Sequence, residues 1–204
     1  MKTHYCTDRD EVPVDLGIKH SRYNPITQDN DIAILRLARY IAYKDNIRPI
    51  CIVMRKDWRN FIDSFQVLTA TGWGTDESGS DSDYLRTLEI HRQPRNVCNK
   101  VTNSVLVTNQ FCAGNNNSNL CFGDSGGPVG KLVNSWDKTK RFMQVGIASY
   151  TNTNCLRASV FTDVLSHVDW IRKAVELFGS GFSRATENNR NRYKTIYLSE
   201  SSTD

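Results

Sequence analysis

The feature that most constrains the fold is a series of short apolar segments from Phe65 onward. They are "FQVLTATGWG", "YLRTLEI", "VLVTNQFCAG", "GPVGKLV", "RFMQVGIASY" and "ASVFTDV", separated by clusters of Gly, Asn, Asp and Ser. Segments this short, bounded by turn formers, suit an antiparallel β barrel or sandwich better than helices. Upstream, "VPVDLGI" and "DIAILRL" offer two more extended pieces around "SRYNPITQDND", where Asn-Pro favours a turn, and "NIRPICIV" a third. One helix is expected near the end, where Val164, Val168, Ile171, Val175 and Phe178 form a single stripe. Residues 179–204 are polar with no sustained period and are expected to form a disordered tail.

At 204 residues the chain can bury a sizeable core, and 39% apolar with 24% charged residues is ordinary for a globular protein. The net charge of +4 comes without a dense Lys/Arg run, so no nucleic-acid partner is expected. No apolar run approaches about 18 residues, so no membrane span is expected either. "MKTHYCTDRDEV" lacks the apolar core of a signal peptide and runs straight into what reads as mid-domain sequence. The six cysteines include no C-x-x-C pair, which argues against zinc, and disulfides would need an oxidising compartment. Asp8, Asp10 and Glu11 have the acidity of a calcium loop but read better as a solvated charge run. No metal or cofactor is therefore expected. "NNS" at 116–118 is a glycosylation sequon if the chain is secreted.

The chemistry centres on "CFGDSGGPVG", Cys121 to Gly130. A serine hydroxyl is a poor nucleophile at neutral pH and needs a general base beside it. Glycines around it let backbone N–H groups approach a reacting carbonyl unobstructed. Taken singly, Ser125 among glycines could be an ordinary loop residue, and Asp31 before an apolar strand an ordinary turn or cap residue.

Taken together, "DIAIL" at 31–35, "TGWG" at 71–74, "GDSGGP" at 123–128 and "DWI" at 169–171 resemble the chymotrypsin/trypsin family of serine proteases, in order and spacing from about Val12 to Phe178. "RPICI" at 48–52 and the hydrophilic insertions resemble its arthropod clip-domain branch. The resemblance implies an all-β fold: a trypsin-like double antiparallel β-barrel with a C-terminal helix, its first barrel incomplete, over residues 1–178. It implies Ser125 as nucleophile, Asp31 as the acid that orients a histidine, and the amides of Gly123 and Ser125 as an oxyanion hole. Ser149 would buttress Asp31 and offer its backbone to substrate. Asp124 would pair with the α-amino terminus made by zymogen cleavage. Asn119 would floor the specificity pocket, with Thr151 and Ser159 as its walls and Tyr150 in place of the usual tryptophan. This arrangement argues against an Arg/Lys preference and for small or polar side chains. The family pairing also implies Cys98–Cys112 and Cys121–Cys155. Cys51 matches a cysteine that holds the catalytic domain to its regulatory part, and Cys6 a loop cysteine with its partner upstream; the alternative for both is a buried free thiol.

The histidine is the difficulty. The family places it about 45 residues before the acid on the template's spacing, which runs off the start of this chain. Of the four histidines, His4 lacks the family context, and His20 sits where the family often carries a surface histidine before the acid-bearing loop and reads as an exposed loop residue. His91 follows a strand and His167 opens the helix. The expectation is a secreted protease-family chain, shortened at its N-terminus and exposing strand edges, with Asp124 unpaired and weak or absent activity. The alternative is a non-catalytic homologue acting as a binding or regulatory protein. Expected partners are a protein or peptide substrate, or a cascade partner or inhibitor, outside the cell.

Overall fold

The computed structural model describes residues 10–75, 79–116, 119–135, 137–179 and 194–199. In chain order the elements are β1 (Val14–His20), β2 (Ala33–Leu37), β3 (Cys51–Ile52), α1 (Arg59–Asp63), β4 (Val67–Gly72), β5 (Arg86–Gln93) and α2 (Arg95–Thr102). They continue with β6 (Gln110–Gly114), β7 (Pro128–Asn134), β8 (Lys140–Thr151), β9 (Ser159–Asp163), α3 (Val168–Phe178) and β10 (Lys194–Leu198). Two compact units result, one from residues 24–31 and 50–168, the other from the remaining segments.

The larger unit is a closed antiparallel barrel. Its strands run β8-β7-β4-β5-β6-β9, β9 pairs back onto β8, and β3 adds in parallel to the outer edge of β8. Alternation sends Leu68 and Ala70 of β4, Ile90 of β5, Val129 of β7 and Met143, Val145 and Ala148 of β8 into the core. Phe111 and Phe161 stack there with ring centroids 5.2 Å apart. They fit only because residue 146 is glycine, where a Cβ would lie 2.6 Å from the Phe111 ring.

Every residue of β6 and β9 is buried, because both faces of these strands are covered. Phe111, Ala113 and Phe161 face the barrel core, while Cys112 and Val160 join Cys98, Leu106 and Ala158 in a second cluster under α2. The periodicity of the sequence did not mark α2, which has only Val97, Cys98 and Val101 to bury. Two features hold it. Asn103 ends the helix in the left-handed conformation that Asn tolerates, and Cys98 is disulfide-bonded to Cys112.

The smaller unit has a three-stranded sheet in the order β10-β1-β2, antiparallel between β1 and β2 and parallel between β1 and β10. β10 departs from the expectation of a tail without fixed structure, although residues 180–193 and 200–204 lie outside those described. Its anchors are the Trp170 indole, which donates to the Leu198 carbonyl at 2.8 Å, and Lys173, which donates to that of Ser199 at 3.1 Å. β1 thus has a strand on both sides, while β2 and β10 have no second strand partner among the described residues. His20, expected on the surface, is fully buried at the end of β1, its ring 5.3 Å from Trp170. In α3 the buried residues include Trp170 and Ala174, whereas Val175 of the expected stripe is exposed.

Two stability measurements check the barrel. Replacing Phe161 by Ala is expected to cost about 3–5 kcal/mol, because the fully buried ring leaves a cavity against Phe111. Replacing Cys98 and Cys112 together by Ser should remove about 3 kcal/mol, as the bridge closes a loop of 14 residues. Denaturant titration reads both, and losses below about 1 kcal/mol would contradict this packing.

Candidate functional site

The turn that carries Ser125 is built from backbone bonds. The Asp124 amide donates to the Cys121 carbonyl at 3.1 Å and the Gly127 amide to that of Asp124 at 2.9 Å. Gly123 and Gly126 have φ of +93° and +81°, a region that side chains disfavour. The turn is then pinned to β8, with Gly126 donating to the Ala148 carbonyl at 2.8 Å and Ala148 to that of Gly127 at 2.9 Å. Ser125 is exposed. Among the described residues, the amides of Gly123 and Ser125 donate to no acceptor, so both remain open to a ligand.

The next residue along β8 is Ser149. The β8–β9 register shifts between Ala148 and Tyr150, which makes Ser149 the extra residue of a bulge. Its hydroxyl donates to the Asp31 carboxylate at 2.6 Å. Asp31 ends a loop fastened to the barrel by several side chains. Gln110 donates to the carbonyls of Thr27 and Gln28 at 3.1 and 3.0 Å, Asn109 to Asn30 at 3.1 Å, and Thr162 to the Asp31 carbonyl at 2.9 Å. The strand ends and the loop thereby bring Asp31, Ser149 and the Ser125 turn into one framework. Nothing in the sequence pattern marked Asn109, Gln110 or Thr162 for this task.

The expectation that Asp124 stands unpaired is not met. Its carboxylate accepts the Gly74 amide at 2.8 Å and the Cys121 amide at 3.0 Å. Gly72 and Gly74 are needed for this approach, since a Cβ at Gly72 would lie 1.9 Å from the carboxylate. Asp124 borders a cleft of about 540 Å³, lined also by Asn119, Leu120 and Leu156.

Asn119, Thr151 and Ser159 lie together at the ends of β8 and β9. Asn119 donates to the Thr151 hydroxyl at 3.5 Å, which in turn donates to the Ala158 carbonyl at 3.3 Å, and Ser159 pairs with Thr151 across β8 and β9. Among the described residues, the side-chain oxygens of Asn119, Tyr150 and Ser159 are buried without a hydrogen-bond partner. Cys121 is bonded to Cys155, tying the serine turn to the loop before β9, and Cys51 is a free, half-buried thiol. Residues 117 and 118 of the sequon, and also His4, Cys6 and Asp8, lie outside the described residues, while Asp10 lies 3.6 Å from the Lys44 ammonium.

No histidine is bonded to Ser125 or to the Asp31 carboxylate among the described residues. His91 is exposed on β5. His167 is buried, its Nδ1 2.8 Å from the Asp163 carbonyl and its Nε2 3.3 Å from the Asn109 amide nitrogen.

Comparison with known proteins agrees with this arrangement. The family model described as Trypsin matches residues 3–171. The chain is 30% identical to "Serine protease grass" of Drosophila melanogaster, covering 78% of this chain and 44% of that protein. It is 34% identical to "Serine protease ea" of the same organism, covering 81% and 44%, and 31% identical to "CLIP domain-containing serine protease B15" of Anopheles gambiae, covering 80% and 46%. The crystal structure of the Drosophila Grass clip serine protease of the Toll pathway superposes with a TM-score of 0.71 at 28% identity, over 81% of this chain and 48% of that one. The chain thus spans less than half the length of these relatives. With its barrel, its serine turn and both disulfides in place, the chain belongs to the trypsin family.

Proposed function

We propose that the chain carries the acyl-transfer half of a serine endopeptidase site, acting outside the cell on a protein or peptide substrate. Ser125 is the nucleophile, the open amides of Gly123 and Ser125 receive the oxyanion, and Asp31 orients the base. The observation that carries this reading is the 2.6 Å bond from Ser149 to Asp31, which fixes a carboxylate next to the strand that holds the Ser125 turn. In this reading Asp124 and its cleft receive the new α-amino terminus after zymogen cleavage. Peptide hydrolysis requires an imidazole that none of the described residues supplies to Ser125. Protease-cascade partners follow from the same reading, since one relative is named "Proclotting enzyme" and another "Melanization protease 1".

A second reading, a non-catalytic homologue that binds through this surface, draws support from the pocket. The Thr151 hydroxyl bridges Asn119 and the Ala158 carbonyl, across the space where a substrate side chain would enter.

Two experiments separate the readings. Hydrolysis of an activated ester by the purified chain is expected to stay near background without added base. Added imidazole should raise it above the imidazole-catalysed rate without protein, and Ser125→Ala should remove that excess. A base-independent rate that Ser125→Ala removes would place a working base within the chain. An imidazole response unchanged by Ser125→Ala would favour the binding reading. In the pocket, peptide aldehydes ending in alanine should bind the wild type better than those ending in phenylalanine. Thr151→Gly should improve the phenylalanine aldehyde by about tenfold, and no change would remove Thr151 from the pocket wall.

A further inference from the structure

We propose that a second cleft on the barrel, at the end of β5, binds a carboxylate through Arg92. The cleft holds about 460 Å³ and is lined by Arg59, Arg92 and Arg95 together with Asp63, Asp163 and Ser166. The three arginines differ in what they have left to give. Arg95 is spent on the backbone, donating to the carbonyls of Gln110 at 3.1 Å and Leu106 at 2.9 Å and also to that of Val107. Arg59 is bonded to Asp163, to Asp63 at 3.5 Å and to the Ser166 hydroxyl at 3.2 Å.

Arg92 alone of the three keeps an open fork. Its Nε donates to the Phe65 carbonyl at 3.1 Å, and its guanidinium lies over the Phe111 ring, 4.3 Å from the centroid. Among the described residues its two terminal nitrogens donate to no acceptor. The side chain is therefore held by a stacking face and one hydrogen bond, in a residue that lines the cleft and keeps both terminal nitrogens unbonded among the described residues. Burial pulls the Arg92 guanidinium below its ordinary range, while Asp63 and Asp163 oppose that from a distance and Arg59 adds to it. A cation placed in this way gains from an anion at bonding distance.

Charge and shape select the anion. Three guanidiniums against two carboxylates leave the lining one positive charge, which a single negative charge neutralises. A doubly charged oxoanion would meet Asp63 and Asp163. A planar carboxylate accepts both N–H bonds of the fork at once, as a point acceptor does not. The Ser166 hydroxyl, which accepts from Arg59, still has its own proton to donate to the same group.

The test is an NMR titration of the arginine Nε–H resonances of the full chain at fixed ionic strength. The probes are acetate and a capped glutamyl dipeptide, with inorganic sulfate as comparator. The Arg92 resonance is expected to shift saturably with acetate. Saturation by the dipeptide at lower concentration would identify a peptide carboxylate as the source, and saturation by acetate alone a small carboxylate. Arg92→Gln should weaken either response by about tenfold, and Arg92→Lys, which keeps the charge without the fork, should weaken it as well. An Arg92 resonance that shows no saturable shift with either carboxylate, or that responds more strongly to sulfate, would overturn the proposal, and the wild-type titration decides this even if a variant fails to fold.

Discussion

Closure of the barrel by β8 is the constraint on which the rest of the site depends. β8 pairs with β7 on one side and β9 on the other, and it carries an extra residue against each, Val145 and Ser149. A strand with perfect alternation would close the sheet without freeing a side chain at this point. The bulge at Ser149 bends the strand and aims its hydroxyl at Asp31 while Ala148, one residue earlier, holds the serine turn through two backbone bonds. Asp31 and the Ser125 turn are thus referenced to adjacent residues of one strand.

The same economy of position recurs at Asp124. Its carboxylate sits where glycines at 72 and 74 leave room, and backbone amides satisfy both of its oxygens. A carboxylate in this state is not a buried orphan, which removes one reason to expect the turn to be distorted. The pocket side is less satisfied. Asn119, Tyr150 and Ser159 bury polar oxygens without partners among the described residues, beside the Thr151 hydroxyl that joins Asn119 to the Ala158 carbonyl. Groups left in this condition favour an incoming polar group over an apolar one.

Much of this was legible in the sequence, for identifiable reasons. Most strands of the barrel announce themselves because they are apolar segments bounded by turn residues. The disulfides and the Ser149–Asp31 pairing were legible only through family resemblance, since no local pattern links residues 118 positions apart. Other features left no signal. α2 buries too few apolar residues to show a stripe, and its stability rests on a bridge to β6. β10 has only Ile196 and Leu198 as apolar alternation, and its partner lies at the other end of the chain. His20 was misread because polar neighbours surround it in sequence while Trp170 covers it in space. The Gly74 amide that holds Asp124 is a backbone group, which sequence cannot display.

The central claim is that the barrel itself holds the Ser125 turn in place. Amide hydrogen exchange at Gly126 and Ala148 tests it most directly, because their N–H groups make the two bonds that pin the turn to β8. The account predicts protection at both amides comparable to that of hydrogen-bonded amides of the barrel strands. Exchange at the rate of exposed loop amides would contradict it.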